Sequence, residues 1–134
     1  MTMEPTEIWL NEIYNWLIQE WGLEKNFAAR VALLLLYFSY FGLSWRVTSG
    51  FRDPRRQREL QKAWDRGDRT GLVTRPATNS LHSTTSFLGK PAAVAVDIST
   101  NDDNFAGEIA AFLKIGWGGN FRSYDPVHFY QLNN

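Results

Sequence analysis

The sequence predicts a single α+β domain, and three observations carry that prediction. Apolar residues recur at helical spacing through the first 44 positions and change to short alternating, branched runs after position 45. The 134 residues, 44% of them hydrophobic and 15% aromatic, suffice for one core. Repeats, low-complexity tracts and linkers are absent, so residues 1–44 read as a helical packing layer for residues 45–134 rather than as a separate domain.

The first helix is expected over Thr6–Trp21, where Leu10, Tyr14, Leu17 and Trp21 share a face with Trp9, Ile13 and Trp16, and Gly22 stops it. A second runs from about Glu24 to Phe41, apolar on most sides in its second half, and ends at Gly42. Trp45–Ser49 reads as a short strand broken by Gly50. Asp53-Pro54 then supplies an N-cap and a proline for the first helical position of a third helix, reaching Arg66. Asp68–Leu88 is rich in Gly, Thr, Ser, Asn and Pro, and a loop of that length in a compact domain is usually functional. Ala92–Ile98 alternates small and branched residues as a buried strand does. Asp102–Lys114 is a fourth helix with Phe105, Ile109, Phe112 and Leu113 inward, and Val127–Leu132 closes the chain as a strand.

Composition excludes several kinds of chemistry. With no cysteine there is no disulfide, thiolate nucleophile or cysteine-held metal, so a metal site must use His, Asp and Glu. Fourteen Lys+Arg balance 14 Asp+Glu, which argues against a domain built to grip nucleic acid. Nine of the 14 basic residues fall between Arg46 and Arg75, but Asp53, Glu59, Asp65 and Asp68 dilute them, so a solvated helical face is expected there. Val31–Leu43 is the most apolar run. Its 13 residues fall short of the roughly 20 that a membrane span needs, which makes it a core helix and predicts no membrane insertion. Glu4, Glu7 and Glu12 precede the first basic residue, Lys25, unlike the cationic start of a secretory signal, and a cytoplasmic origin without a signal peptide is expected.

The candidate chemistry gathers on few residues. In the Ala92–Ile98 strand, alternation puts Ala93, Ala95 and Asp97 on one face and Val94, Val96 and Ile98 on the other, leaving room around a carboxylate. A buried carboxylate needs a partner, either an arginine or a metal. Proline second in Asp125-Pro126-Val127-His128 favours a β-turn, which brings Asp125 and His128 close together. An ordinary Asx-type turn with a surface histidine is the plainer reading of that motif.

Five motifs in order then resemble one family of zinc peptidases: Thr48-Ser49-Gly50-Phe51-Arg52, Ser80-Leu81-His82, Ala95-Val96-Asp97-Ile98, Trp117-Gly118-Gly119 and Asp125-Pro126-Val127-His128-Phe129. The family contains D-alanyl-D-alanine carboxypeptidases, vancomycin-resistance dipeptidases and phage L-alanyl-D-glutamate endopeptidases, and the likeness covers about residues 45–132. It implies a Hedgehog/D,D-peptidase-like fold, a small antiparallel sheet that carries a zinc ion and packs against several helices. It implies zinc held by His82, Asp97 and His128, and Asp125 as general base and acid. Arg52 is implied to steady substrate or oxyanion, Ser80 to contact substrate or support a ligand, and Trp117 to wall the cleft. The substrate implied is a peptidoglycan stem peptide at the bacterial cell wall, in the periplasm or outside the cell. A compact phage endolysin is one setting for such a chain. A non-catalytic wall-binding module, or a structural part of a phage or secretion particle that retains the fold, is the other.

One departure from the family stands out. Fourteen residues separate His82 from Asp97 where the family usually has six, and Ala93 stands at the family's glycine. The extra stretch, Thr84–Pro91, reads as a loop excursion beside the metal that shapes the substrate cleft.

Overall fold

The computed structural model describes residues 4–77 and 80–132. Four helices and a four-stranded antiparallel sheet follow one another as α1 (Pro5–Gln19), α2 (Lys25–Tyr40), β1 (Trp45–Ser49), α3 (Pro54–Asp65), β2 (Ala95–Thr100), α4 (Asp103–Phe112), β3 (Ile115–Trp117) and β4 (His128–Gln131), in sheet order β1-β2-β4-β3. The outcome is the single α+β domain expected, and no helix among the described residues is long and apolar enough to cross a membrane.

Helix ends follow the local chemistry. The Glu24 carboxylate caps α2 by accepting from the Asn26 and Phe27 N–H groups, and Asp53 caps α3 by accepting from Arg55 N–H at 2.8 Å. Gly22, Gly42 and Gly67 follow α1, α2 and α3 with positive φ, the left-handed turn-off that a Cβ disfavours.

The core sits between α2 and one face of the sheet. Phe27, Val31, Leu34, Leu35 and Phe38 are fully buried on α2 and share a cluster with Val47, Val96, Ile98, Ile115 and Phe129 of the strands. Phe38 meets Phe129 edge to face at 6.1 Å. Burial on both sides explains why α2 is apolar nearly all round.

Two expectations are corrected, and one strand was not anticipated. The strand expected over Ala92–Ile98 pairs as Ala95–Thr100, while Ala93 instead bridges to Leu23. Phe112 is 74% exposed rather than inward: the buried face of α4 is Ala106, Gly107, Ile109 and Ala110, and the Trp117 ring fills the space over Gly107, so small residues are needed there. Trp117 itself belongs to β3, a three-residue strand with glycine at its centre, which carries no legible alternation. Gly116 is required in it because a Cβ would lie 2.3 Å from the Tyr130 ring.

Candidate metal centre

Strand register builds half of the site. Asp97 of β2 pairs directly with His128 of β4, and Val96 pairs with Phe129, so alternation sends Val96 and Phe129 into the core while Asp97 and His128 share the opposite face. The Asp125–His128 segment is a turn closed by His128 N–H donating to the Asp125 carbonyl at 3.1 Å, as proline at its second position favours.

His82 arrives from a 3₁₀ turn, Leu81–Ser83, whose cap is the Ser80 Oγ accepting from His82 N–H at 3.2 Å. Two further bonds fix this turn: Arg52 N–H donates to the His82 carbonyl at 2.7 Å, and Val94 N–H donates to the Leu81 carbonyl at 3.0 Å. Ala95 is fully buried, and His82 is only 4% exposed.

Three ligand atoms converge. His82 Nε2 lies 3.4 Å from Asp97 Oδ1, His128 Nδ1 lies 3.3 Å from the same oxygen, and the two ring nitrogens are 3.3 Å apart. Tetrahedral coordination with bonds of about 2.0–2.1 Å has ligand-to-ligand edges of about 3.3–3.4 Å, so this triangle matches one face of a zinc tetrahedron. The proton inventory agrees. His82 Nδ1 sits 2.9 Å from the Gly50 carbonyl, which can only accept, so the ring proton resides on Nδ1 and the Nε2 lone pair faces the carboxylate. Together these three atoms form a group that could hold a metal ion, and two imidazoles with one carboxylate are a donor set that suits zinc.

Charge at the site is divided between two carboxyls. Burial pushes the Asp97 carboxyl up, but its close contacts with His128 and His82 prevail and hold it well below the usual carboxylate range. Asp125 goes the other way: burial first, then the Asp97 charge, raises it, against the pull of His128, His82 and Arg52. Burial lowers the Arg52 guanidinium below its ordinary value, and the charges of Asp97 and Asp125 oppose that shift.

The cleft over these groups measures about 370 Å³ and is lined by Arg52, Ser80, His82, Asp97, Asp125 and His128, with residues 71–77, Gln57 and Phe121 forming its walls. It brings together six of the seven residues singled out from the sequence. Trp117 is the exception and is corrected here. It does not line the cleft; its indole N–H donates to the Pro126 carbonyl at 2.8 Å, so it braces the Asp125–His128 turn from behind. The Thr84–Pro91 excursion likewise takes no part in the cleft wall. Its ends meet through Ala92 N–H to the Thr84 carbonyl at 3.0 Å, and the extra residues leave as a side hairpin without displacing His82.

Sequence reasoning missed the supports. Gln57, 3% exposed, accepts from Arg52 Nη1 at 2.9 Å and donates to the Ala77 carbonyl at 2.8 Å; Gln61 donates to the Pro76 carbonyl at 3.0 Å. Uncharged amides four apart in an otherwise charged helix were the available signal. The Phe121 ring against His128 and Tyr130, and the Gly50 carbonyl, had none.

No family model matches this chain, and no curated protein does. Among solved structures, the crystal structure of the Serratia marcescens L-Ala D-Glu endopeptidase ChiX matches with a TM-score of 0.57 over 92% of this chain and 86% of that one, at 18% sequence identity. The chain thus has the fold of a peptidase, with a His-Asp-His group able to hold a metal ion.

Proposed function

We propose that this chain is a zinc-dependent peptidoglycan peptidase that hydrolyses a stem-peptide bond involving a D-amino acid. The observation that carries the reading is the triangle of His82 Nε2, Asp97 Oδ1 and His128 Nδ1, with tetrahedral edge lengths, in a cleft that also holds Asp125 and Arg52. The fold shared with an L-Ala D-Glu endopeptidase supports the substrate class.

His82, Asp97 and His128 would hold the ion, which supplies Lewis acidity for polarising a carbonyl and easing deprotonation of water. Asp125 takes the proton of the attacking water on its carboxylate and returns it to the leaving amine, a task suited to a carboxyl raised above its ordinary value. Arg52, held by Gln57 at its guanidinium, offers positive charge to the developing oxyanion or to a substrate carboxylate. Ser80 keeps His82 on its turn, and the Phe121 ring packs beside that of His128 with centroids 5.6 Å apart.

Metal analysis combined with digestion of purified peptidoglycan and mass spectrometry of the released muropeptides tests this reading. The expected result is one zinc per chain, lost in His82→Ala and His128→Ala, with digestion lost but zinc retained in Asp125→Ala. Absence of zinc from the parent protein, or unchanged digestion by Asp125→Ala, would overturn the enzyme reading in favour of a wall-binding module.

A further inference from the structure

The hairpin that separates His82 from Asp97 has no role in the cleft, and its tip is unusual. Phe87 is fully exposed and Leu88 is 78% exposed, although both are large and apolar. They are held out rather than left loose. Ser86 N–H donates to the Lys90 carbonyl at 2.8 Å, Gly89 N–H to the Ser86 carbonyl at 2.8 Å and Lys90 N–H to the Ser86 Oγ at 3.2 Å. Thr85 bridges Pro91, and Thr84 Oγ1 donates to the Ala92 carbonyl at 2.6 Å at the base. Gly89, at φ 78°, turns the chain where a side chain would be strained.

The hairpin Thr84–Pro91 contains one charged residue, Lys90, and no Asp or Glu. Lys90 is exposed, three residues from Phe87, and makes no ion pair with a carboxylate among the described residues. A convex pair of apolar side chains offers at most about 400 Å² of contact, well short of the roughly 800 Å² per partner of a stable protein interface. A bilayer needs no complementary surface: apolar side chains enter the acyl boundary while a neighbouring cation meets anionic headgroups.

We propose that the Phe87–Leu88 tip docks this protein reversibly on an anionic lipid bilayer, with Lys90 at the headgroups. The anchor is peripheral, and no helix among the described residues is long and apolar enough to cross a membrane. Because the hairpin closes on itself, docking leaves the cleft free and does not depend on the peptidase reading.

Vesicle co-sedimentation tests the proposal. The parent protein is expected to bind phosphatidylcholine vesicles that contain phosphatidylglycerol, and Phe87→Ser/Leu88→Ser to bind them at least about tenfold more weakly while melting at the same temperature. Lys90→Glu is expected to weaken binding to the phosphatidylglycerol vesicles and not to phosphatidylcholine alone. As the chain has no cysteine, Phe87→Cys carries a polarity-sensitive dye at one site, and its emission is expected to shift to the blue on vesicles. Failure of the parent to bind anionic vesicles, equal binding by the double variant, or an unshifted dye would overturn the proposal; the last two point instead to another surface as the anchor.

Discussion

Asp97 and Asp125 share one cleft and are driven in opposite directions by their surroundings. Asp97 lies against two histidines and stays charged, while Asp125 is half-buried beside that charge and holds its proton more tightly than an ordinary carboxyl. A carboxyl raised on folding costs stability when ionised, at pH above its folded value, and the cost disappears below its ordinary value near 3.8. Asp125→Asn is therefore expected to reduce peptidoglycan digestion by about 10²–10⁴-fold with zinc content unchanged. The same variant, metal-free, should melt above the parent at pH 7, with the difference shrinking as pH falls toward 4. Thermal melts across that range check the sign, and a variant that melts below the parent at pH 7 would contradict it. Both carboxyls were legible in the sequence because a turn motif and a two-residue alternation are local patterns. Their opposite shifts were not, because each depends on groups far along the chain.

Two kinds of element place the three candidate ligands. Asp97 and His128 are set by ladder register, and His82 by a capped 3₁₀ turn that Arg52 N–H and Val94 N–H hold from two sides. The Gly118–Asn120 turn supports Asp125, the proposed general base. Gly118 accepts from Asp125 N–H at 3.0 Å, and a Cβ at Gly118 would lie 2.3 Å from the Asp125 carbonyl oxygen and 2.9 Å from His128 Cβ. Gly118→Ala is expected to cost about 1–3 kcal/mol by overpacking. It should also weaken zinc binding about 10–100-fold, as loss of a supporting contact does, and calorimetric zinc titration alongside denaturant unfolding measures both. The glycines of this motif were visible in the sequence; their reason was not, since it lies in the backbone of a turn seven residues away. The cleft wall is similar, with residues 71–77 pinned to α3 by Gln57, Gln61 and a two-pronged Arg75–Asp65 pair at 3.0 and 3.1 Å.

Charge and hydrophobicity segregate across the molecule. The helical layer carries five glutamates against Lys25 and Arg30, the basic stretch runs along α3 at the cleft, and α2 lies between helices and sheet as the common core. A metal that binds only the folded chain stabilises it by about 2.7 kcal/mol at a free concentration one hundred times its Kd. Chelation should therefore lower the melting temperature by roughly 10 °C, and added zinc should restore it. An unchanged melt on chelation would show that the triangle holds no ion. The sequence by itself determined the helices with their caps and stops, the α+β class and a ligand set limited to two histidines and carboxylates. Periodicity, capping and composition act within a few residues, so they can be read directly. Tertiary structure alone decided that the 14 residues between His82 and Asp97 loop away as a closed hairpin, that Trp117 braces the turn from behind, and that Gln57 joins Arg52 to the cleft wall. Those outcomes rest on contacts between distant segments, and such contacts form only when strand register and core packing have brought the segments together.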